Sequence, residues 1–274
     1  MEPKLDHDNR ARLTKDGIRI YDHADAAGMH AAGRLAAEIL DAMAPHVFPG
    51  QTTGAIDKII TDMVDAAGAK SATIGYKGYK HASCISVNHV VCHGIPGDKV
   101  LKDGDILNID VTVIVDGWFG DTSRMYVAGK LPRKAERLIQ VTHDALMRGI
   151  DAVKPGNTFG DIGHAIQSFV EAHRMSVVRD FCGHGLGRVF HAPPNVLHYG
   201  RPATGAVLEP GMFFTIEPMV NLGRPETKTL ADDWTAVTRD KSLSAQFEHS
   251  VGVTEDGVEI FTLSPADTFH PTFG

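Results

Sequence analysis

Cysteine is scarce in this sequence, and long apolar runs, a positive net charge and the commonest hydrolase motifs are missing altogether. Of 274 residues only Cys84, Cys92 and Cys182 are cysteines, and none form a CxxC pair. An odd trio gives no disulfide framework, so reduced thiols and a cytoplasmic location are expected. No apolar stretch approaches the roughly 20 residues of a membrane helix. The polar, acidic start, Met1 to Arg10, is unlike a secretory signal. A formal charge of -7 excludes the basic footprint of a general nucleic-acid binder. GxSxG, Walker and HExxH patterns do not occur. Gly183-His184-Gly185-Leu186-Gly187 lacks the spacing and βαβ setting of a dinucleotide loop.

What is present suffices for a large core, since 43% of the residues are hydrophobic. The chain also repeats itself. Pro49-Gly50-Gln51-Thr52-Thr53-Gly54-Ala55-Ile56 matches Pro155-Gly156-Asn157-Thr158-Phe159-Gly160-Asp161-Ile162 at five of eight positions, at an offset of 106. Downstream, Leu101 to Asp110 aligns with Leu208 to Glu217 at an offset of 107, sharing Leu, Gly and Ile and ending in an acid. Two similar halves, about 24–130 and 131–262, are expected within one catalytic domain, 1–274. A short extension, 1–20, and a tail, 263–274, flank them. The period is far too long for a solenoid.

Each half reads helix, helix, then strands. Met29, Ala32, Leu35, Ala36, Ile39 and Met43 have helical spacing up to Pro45; Ile56, Ile59, Ile60, Met63 and Val64 repeat it up to Gly68. Leu138, Val141 and Ala145, then Ile162, Ile166 and Val170, are the counterparts. Strands are predicted over Ile85 to Val91, Asp105 to Val115, Met212 to Val220 and Ala245 to Thr254. The expected class is α+β with a largely antiparallel sheet.

In Asp105 to Val115, the side chains of Leu107, Ile109, Val111, Val113 and Val115 share a core face. Ile106, Asn108, Asp110 and Thr112 share the other, where a lone Asp110 reads as solvated. Asp116-Gly117 is a hairpin signal. A loop centred there puts Thr112 opposite Asp121, with Asp110 diagonal to it, roughly 7–8 Å away. The repeat supplies a second pair: Glu217, in an apolar run before Pro218, and Glu248. Four acids converging near a pseudo-twofold axis carry about four negative charges and call for cations. Pairing with Arg124 and Arg188 is the alternative, but the acids outnumber them.

Three of the 15 histidines, His93, His184 and His191, sit among small or turn residues that let a ligand approach. His184 is the candidate nitrogen ligand, and His93 and His191 are candidate proton donors or substrate contacts. His81, His89, His143 and His173 read as ordinary surface or core residues. Carboxylates with one imidazole suit Mn, Fe or Co, and Zn less distinctively. Two such ions can hold an attacking hydroxide.

The motifs VCHGIPG (91–97), NIDVTV (108–113), GDTSRM (120–125), GHGLG (183–187), TIEPMV (215–220) and SLSAQFEHSV (242–251) resemble those of the methionine aminopeptidases, over nearly the whole chain. The resemblance implies the pita-bread fold, with two pseudo-symmetric halves. It also implies cleavage of the initiator methionine before a small second residue, on nascent N-termini near the ribosome, by a monomer. Carried over by motif, Asp110, Asp121, His184, Glu217 and Glu248 are metal ligands, with Asp121 and Glu248 shared between two ions. His93 and His191 contact the substrate, and Glu217 moves a proton. Tyr76, Tyr79, Cys84, Phe190 and Trp234 form the methionine pocket, and Asn88 and Ser244 flank a sodium or potassium ion. Neither a zinc-finger extension nor the helical insertion of type II enzymes is visible, which matches the short type I form. Ala192 and Pro193 stand where bacterial relatives often have acids, and Thr73 where some have cysteine. An Xaa-Pro peptidase of the same fold and a binding-only pseudoenzyme are the competing expectations.

Overall fold

The Pro-Gly turns of the repeat explain how each half begins its second helix. The computed structural model describes residues 12–266; the rest of the expected extension and tail, 1–11 and 267–274, lie outside the described residues. Helix α1 spans Ala26–Met43, α2 Thr53–Ala66, α3 Arg133–Asp151 and α4 Phe159–Ala172. Gly50 (φ 98°) and Gly156 (φ 89°) occupy the left-handed region that glycine tolerates. Thr52 then caps α2 by accepting from Ala55 N at 3.2 Å. Thr158 caps α4 in a capping box with Asp161. Each cap stabilises its helix by about 1 kcal/mol.

The same long-range bonds recur in both halves. Gly50 N donates to Leu101 O at 2.8 Å and Gly156 N to Leu208 O at 3.1 Å. Leu101 N returns to Gln51 O at 2.8 Å, and Leu208 N to Asn157 O at 2.8 Å. The sequence repeat is therefore a repeat of backbone bonding.

Among the described residues every strand pairing is antiparallel. The long strand Asp105–Val115 pairs along its whole length with Trp118–Ala128, and on its other edge with Ser83–Val87 and Lys70–Ser71. In the second half, Phe213–Ile216 pairs with His249–Val253, and Met219–Asn221 with Ser244–Gln246. Helices α1 and α2 pack their apolar stripes on the first set, burying Ile39, Leu40, Ile56 and Ile60 against Leu107, Ile109 and Val111. Helices α3 and α4 do so on the second, burying Leu138, Leu146, Ile162 and Ile166 against Phe214, Ile216 and Val251. At roughly 1.5–3 kcal/mol for each buried side chain, these two layers dominate the folding free energy.

Three expectations need correction. Ile85 to Val91 is two strands, Ser83–Val87 and Val90–Cys92. Asn88 between them takes φ 57°, and its amide donates to Asp105 at 2.7 Å and accepts from Ile106 N at 3.1 Å. The second face of Asp105–Val115 is not solvated: Ile106, Asn108 and Thr112 are buried, because that face turns to the other half of the molecule.

The strands predicted over Met212 to Val220 and Ala245 to Thr254 are each broken in two. Ile216 pairs with His249 and Met219 with Gln246, so the register is unchanged across an opening of two residues per strand. Glu217-Pro218 lies on one side of it and Phe247-Glu248 on the other. Pro218 has no N–H for a ladder. The freed backbone groups find partners elsewhere: Glu217 N donates to His198 Nε2 at 3.0 Å, and Glu248 N to Ser123 O at 2.9 Å.

Candidate metal centre and substrate cavity

The two halves are joined where their acids meet. Ser123 and Glu248 form an isolated antiparallel bridge. Thr122 donates its hydroxyl to Glu248 O at 2.7 Å, and Ser250 donates its own to Asp121 O at 2.6 Å. This reciprocal stitch fixes Asp121 and Glu248 against each other. Asp110 sits across from Ser123, and Thr112 across from Asp121, the register that Asp116-Gly117 predicts. Asp116 (φ 49°) and Gly117 (φ 81°) are both left-handed, as a type I′ hairpin requires.

His184, on the short strand Gly183–Gly185, completes the cluster. Its Nε2 lies 3.5 Å from Asp121 Oδ2 and 3.8 Å from Glu217 Oε1. Ligand atoms of Asp121, His184 and Glu248 all lie within 4.8 Å of one another. His184 Nδ1 donates to Gly185 O at 3.2 Å. A carbonyl only accepts, so this bond holds the proton on Nδ1 and leaves the Nε2 lone pair facing the acids.

Burial and like charge raise the carboxyl pKa values here. Burial is the larger cause for Asp110, followed by the charges of Asp121 and Glu217. Glu248 is raised by burial and then by Asp121, Glu217 and Asp110. Glu217 is pushed up to about 7 by burial and Asp121, against the pull of His184. Burial opposes the charged form of His184, but the contact with Asp121 and the charges of Glu217 and Asp121 outweigh it and raise its pKa.

A divalent cation tests well against these residues. No hydrogen bond reaches the carboxylates of Asp110 or Glu248 among the described residues. Arg124, the expected competitor, pairs with Asp41 at 2.7 Å. Arg188 donates to Asp116 O at 3.1 Å and lies over Trp118. Asp110 and Glu248, left without donors, together with Asp121, Glu217 and one oriented imidazole lone pair form a donor set for hard or borderline cations.

Supporting residues that sequence reasoning missed surround Glu217. Thr215 donates to its Oε1 at 2.8 Å, Gln246 to its Oε2 at 3.3 Å, and His198 accepts from its backbone. Thr112 donates to Asp121 Oδ1 at 2.7 Å. Thr112 alternates with Asp110 and was legible as a same-face neighbour. His198 carries no sequence signal, being 19 residues from Glu217 and joined to it only in space.

The acids form one end of a cavity of about 750 Å³. All the expected substrate residues, His93, Tyr76, Tyr79, Cys84, Phe190, His191 and Trp234, line it. Tyr79 packs on Trp234 at 4.9 Å between ring centres, and Tyr76 on Phe190 at 5.0 Å. Phe181, also unforeseen, closes on His93 at 5.5 Å. His93 has φ 56°, a strained state for a non-glycine residue that clusters at functional sites. Its pKa is lowered by burial against Asp121. That of His191, an exposed residue whose ring still packs on Tyr76, His184 and Phe190, falls to about 4 through desolvation and the nearby His184. Both rings are therefore neutral donors near pH 7.

The glycines flanking these histidines serve strand packing rather than ligand access. A Cβ on Gly185 would meet Pro193 O at 2.2 Å, and one on Gly94 would meet Ile85 O at 2.3 Å. Of the other histidines, His81 binds Asp57 at 3.1 Å, His89 is exposed, His143 packs on Phe247 and His173 caps α4. Asn88 and Ser244 do meet, Ser244 N donating to Asn88 O at 2.9 Å. All three cysteines are free thiols. No helix among the described residues is long and apolar enough to cross a membrane.

The sequence profile of Metallopeptidase family M24 matches residues 27–255. A methionine aminopeptidase of Rickettsia prowazekii (strain Madrid E) is 56% identical over 257 residues, covering 93% of this chain and 99% of that one. The crystal structure of a methionine aminopeptidase from Rickettsia prowazekii superimposes with a TM-score of 0.89 at 57% identity, covering 90% of this chain and all of that one. A prolidase from Pyrococcus furiosus shares the fold, with a TM-score of 0.73 at 21% identity over 89% of this chain and 65% of its own.

Proposed function

Because the chain belongs to Metallopeptidase family M24, and within it to the methionine aminopeptidases, it is a metal-dependent hydrolase that removes N-terminal methionine, and we propose how its residues divide that task. Asp110, Asp121, His184, Glu217 and Glu248 hold two divalent ions, of Mn, Fe, Co or Zn. The reading is carried by one observation: Asp121, Glu248 and the oriented imidazole of His184 bring their ligand atoms within 4.8 Å of one another in an aromatic-lined cavity that Asp110 and Glu217 also line. Bound there, such ions lower the pKa of water and polarise a carbonyl.

The methionine side chain lies among Tyr76, Tyr79, Cys84, Phe190 and Trp234, where aromatic faces and a thiol suit a flexible thioether. Burial, with the charge of Asp110, raises the Cys84 thiol pKa, so Cys84 stays protonated and offers an apolar wall. His93 donates to the substrate carbonyl as a neutral ring, and His191 donates near the scissile amide. Glu217, held at both oxygens by Thr215 and Gln246, takes a proton from the attacking water and delivers it to the departing amine. The second residue of the substrate is small. A sodium or potassium ion beside Asn88 and Ser244, a monomeric state, and work in the cytoplasm on N-termini leaving the ribosome complete the reading.

Turnover of Met-Ala-Ser but not Ala-Pro-Ala, with bound metal measured by elemental analysis, tests it. Cleavage of Ala-Pro-Ala alone would favour an Xaa-Pro peptidase, for which the likeness is one of fold only. Glu217→Ala and His184→Ala are each expected to abolish turnover; normal rates in either would remove those residues from the scheme.

A further inference from the structure

A second cavity, of about 350 Å³, adjoins the first and shares Asp16, Pro194 and Asn195 with it. We propose that it is a subsite for downstream residues of the peptide, taking an apolar side chain some way beyond the scissile bond. This rests on the peptidase reading above, since it needs a polypeptide leaving the metal end.

The strand Ala192–Val196 is one edge of its five-stranded sheet. Exposure alternates along it and just beyond: His191, Pro193, Asn195 and Leu197 are exposed, while Val196 and His198 are buried. The chain leads from His191, on the first cavity, to Leu197, on the second, by way of Pro194 and Asn195, which line both. The ladder is irregular between Ala192 and Asn195, so this stretch falls short of the roughly 20 Å of six regular strand steps. A regular extended substrate covers that shorter path in roughly four or five residues beyond the scissile bond, so roughly its fifth to seventh residue arrives at Leu197.

Chemistry at the far end is apolar. Ile18, Phe159, Leu197 and Tyr199 line it, and Leu197 remains 38% exposed. Among its lining residues Asp16 alone carries charge. Arg179 lies 5.3 Å from the Tyr199 ring centre and pairs with Glu171 at 3.9 Å. An acidic substrate side chain therefore meets Asp16 and apolar walls. Pro193 and Pro194 have no N–H to offer a passing backbone, so grip along this edge falls to side chains in the recess. The ligand class is an unfolded N-terminal segment with a leucine-like residue at that distance.

The test uses the full chain, metal-loaded, on Met-Ala-Ser and on octapeptides of glycine and serine after Met-Ala-Ser. Leucine or aspartate is placed in turn at the fifth, sixth and seventh positions. At one position leucine should lower KM about five-fold relative to aspartate. Leu197→Asp should abolish that preference while cleaving Met-Ala-Ser as the parent does, and Leu197→Met should retain it. Equal KM values for the leucine and aspartate peptides at every position, or a preference that survives Leu197→Asp, overturns the subsite and leaves the peptidase reading intact. Failure to cleave Met-Ala-Ser at all overturns that reading and the subsite with it.

Discussion

Thr112 faces Asp121 across the hairpin and donates its hydroxyl to Asp121 Oδ1 at 2.7 Å. One carboxylate oxygen is thereby fixed, and Oδ2 is turned to His184. Thr112→Val keeps the shape and removes the donor. Outer hydrogen bonds of this kind are worth roughly 10–100-fold in metal affinity. Calorimetric titration with Mn should show a loss in that range; unchanged affinity would mean that the hydroxyl does not orient Asp121.

Glu248 crowds Asp121, Glu217 and Asp110 in a buried space. Without metal, deleting one of these charges relieves repulsion. Glu248→Gln should therefore melt at a higher temperature than the parent when both are chelated, and at a lower one when both are given metal. Scanning calorimetry with and without EDTA reads both halves of this inversion, and a variant less stable in both conditions would contradict it.

Proton linkage in the chelated protein has a definite sign. Burial, then Asp121 against His184, raises Glu217 from an ordinary 4.5 to about 7, and Asp110 and Glu248 move in the same direction. The folded state then holds protons that the unfolded chain releases. The stability Glu217 confers is complete below about 4.5 and disappears as pH rises through about 7. Melting temperature in EDTA should fall between pH 5 and 8, and added metal should flatten the trend because cations replace protons. A chelated protein that gains stability over this range would refute the assignment.

Asp57, buried on α2, accepts from Ser83 N at 2.9 Å, Ser83 Oγ at 2.7 Å and His81 Nδ1 at 3.1 Å. Ser83 begins the strand that carries Cys84, and Tyr79 donates to Ser83 O at 2.9 Å. Asp57→Asn weakens all of these supports to the pocket wall. It should cost about 2 kcal/mol of stability, read from the urea midpoint, and raise KM for Met-Ala-Ser more than it lowers kcat. An unchanged KM would show that the wall stands without it.

Local signals carried much of this architecture into the sequence. Asp116-Gly117 set the hairpin register to the residue, and the Pro-Gly repeat set both helix starts. Periodicity placed all four helices. It misjudged the environment of Asp110 because alternation reports which residues share a face, not what covers it. The other half of the chain covers this one. The breaks at Glu217-Pro218 and Phe247-Glu248 escaped notice because each segment, taken singly, reads as continuous strand. His198, Gln246 and Phe181 were invisible for a related reason: each acts on a residue far away in the chain.

Glu217 and Glu248 occupy a gap whose two rims share one register. That places a limit on chain length. Adding or removing a residue between Thr215 and Val220, or between Gln246 and Ser250, would turn every side chain beyond it to the opposite face. The connection from Leu222 to Leu243 lies outside both rims. A change of length there that spares Trp234 would leave the register of the two rims intact.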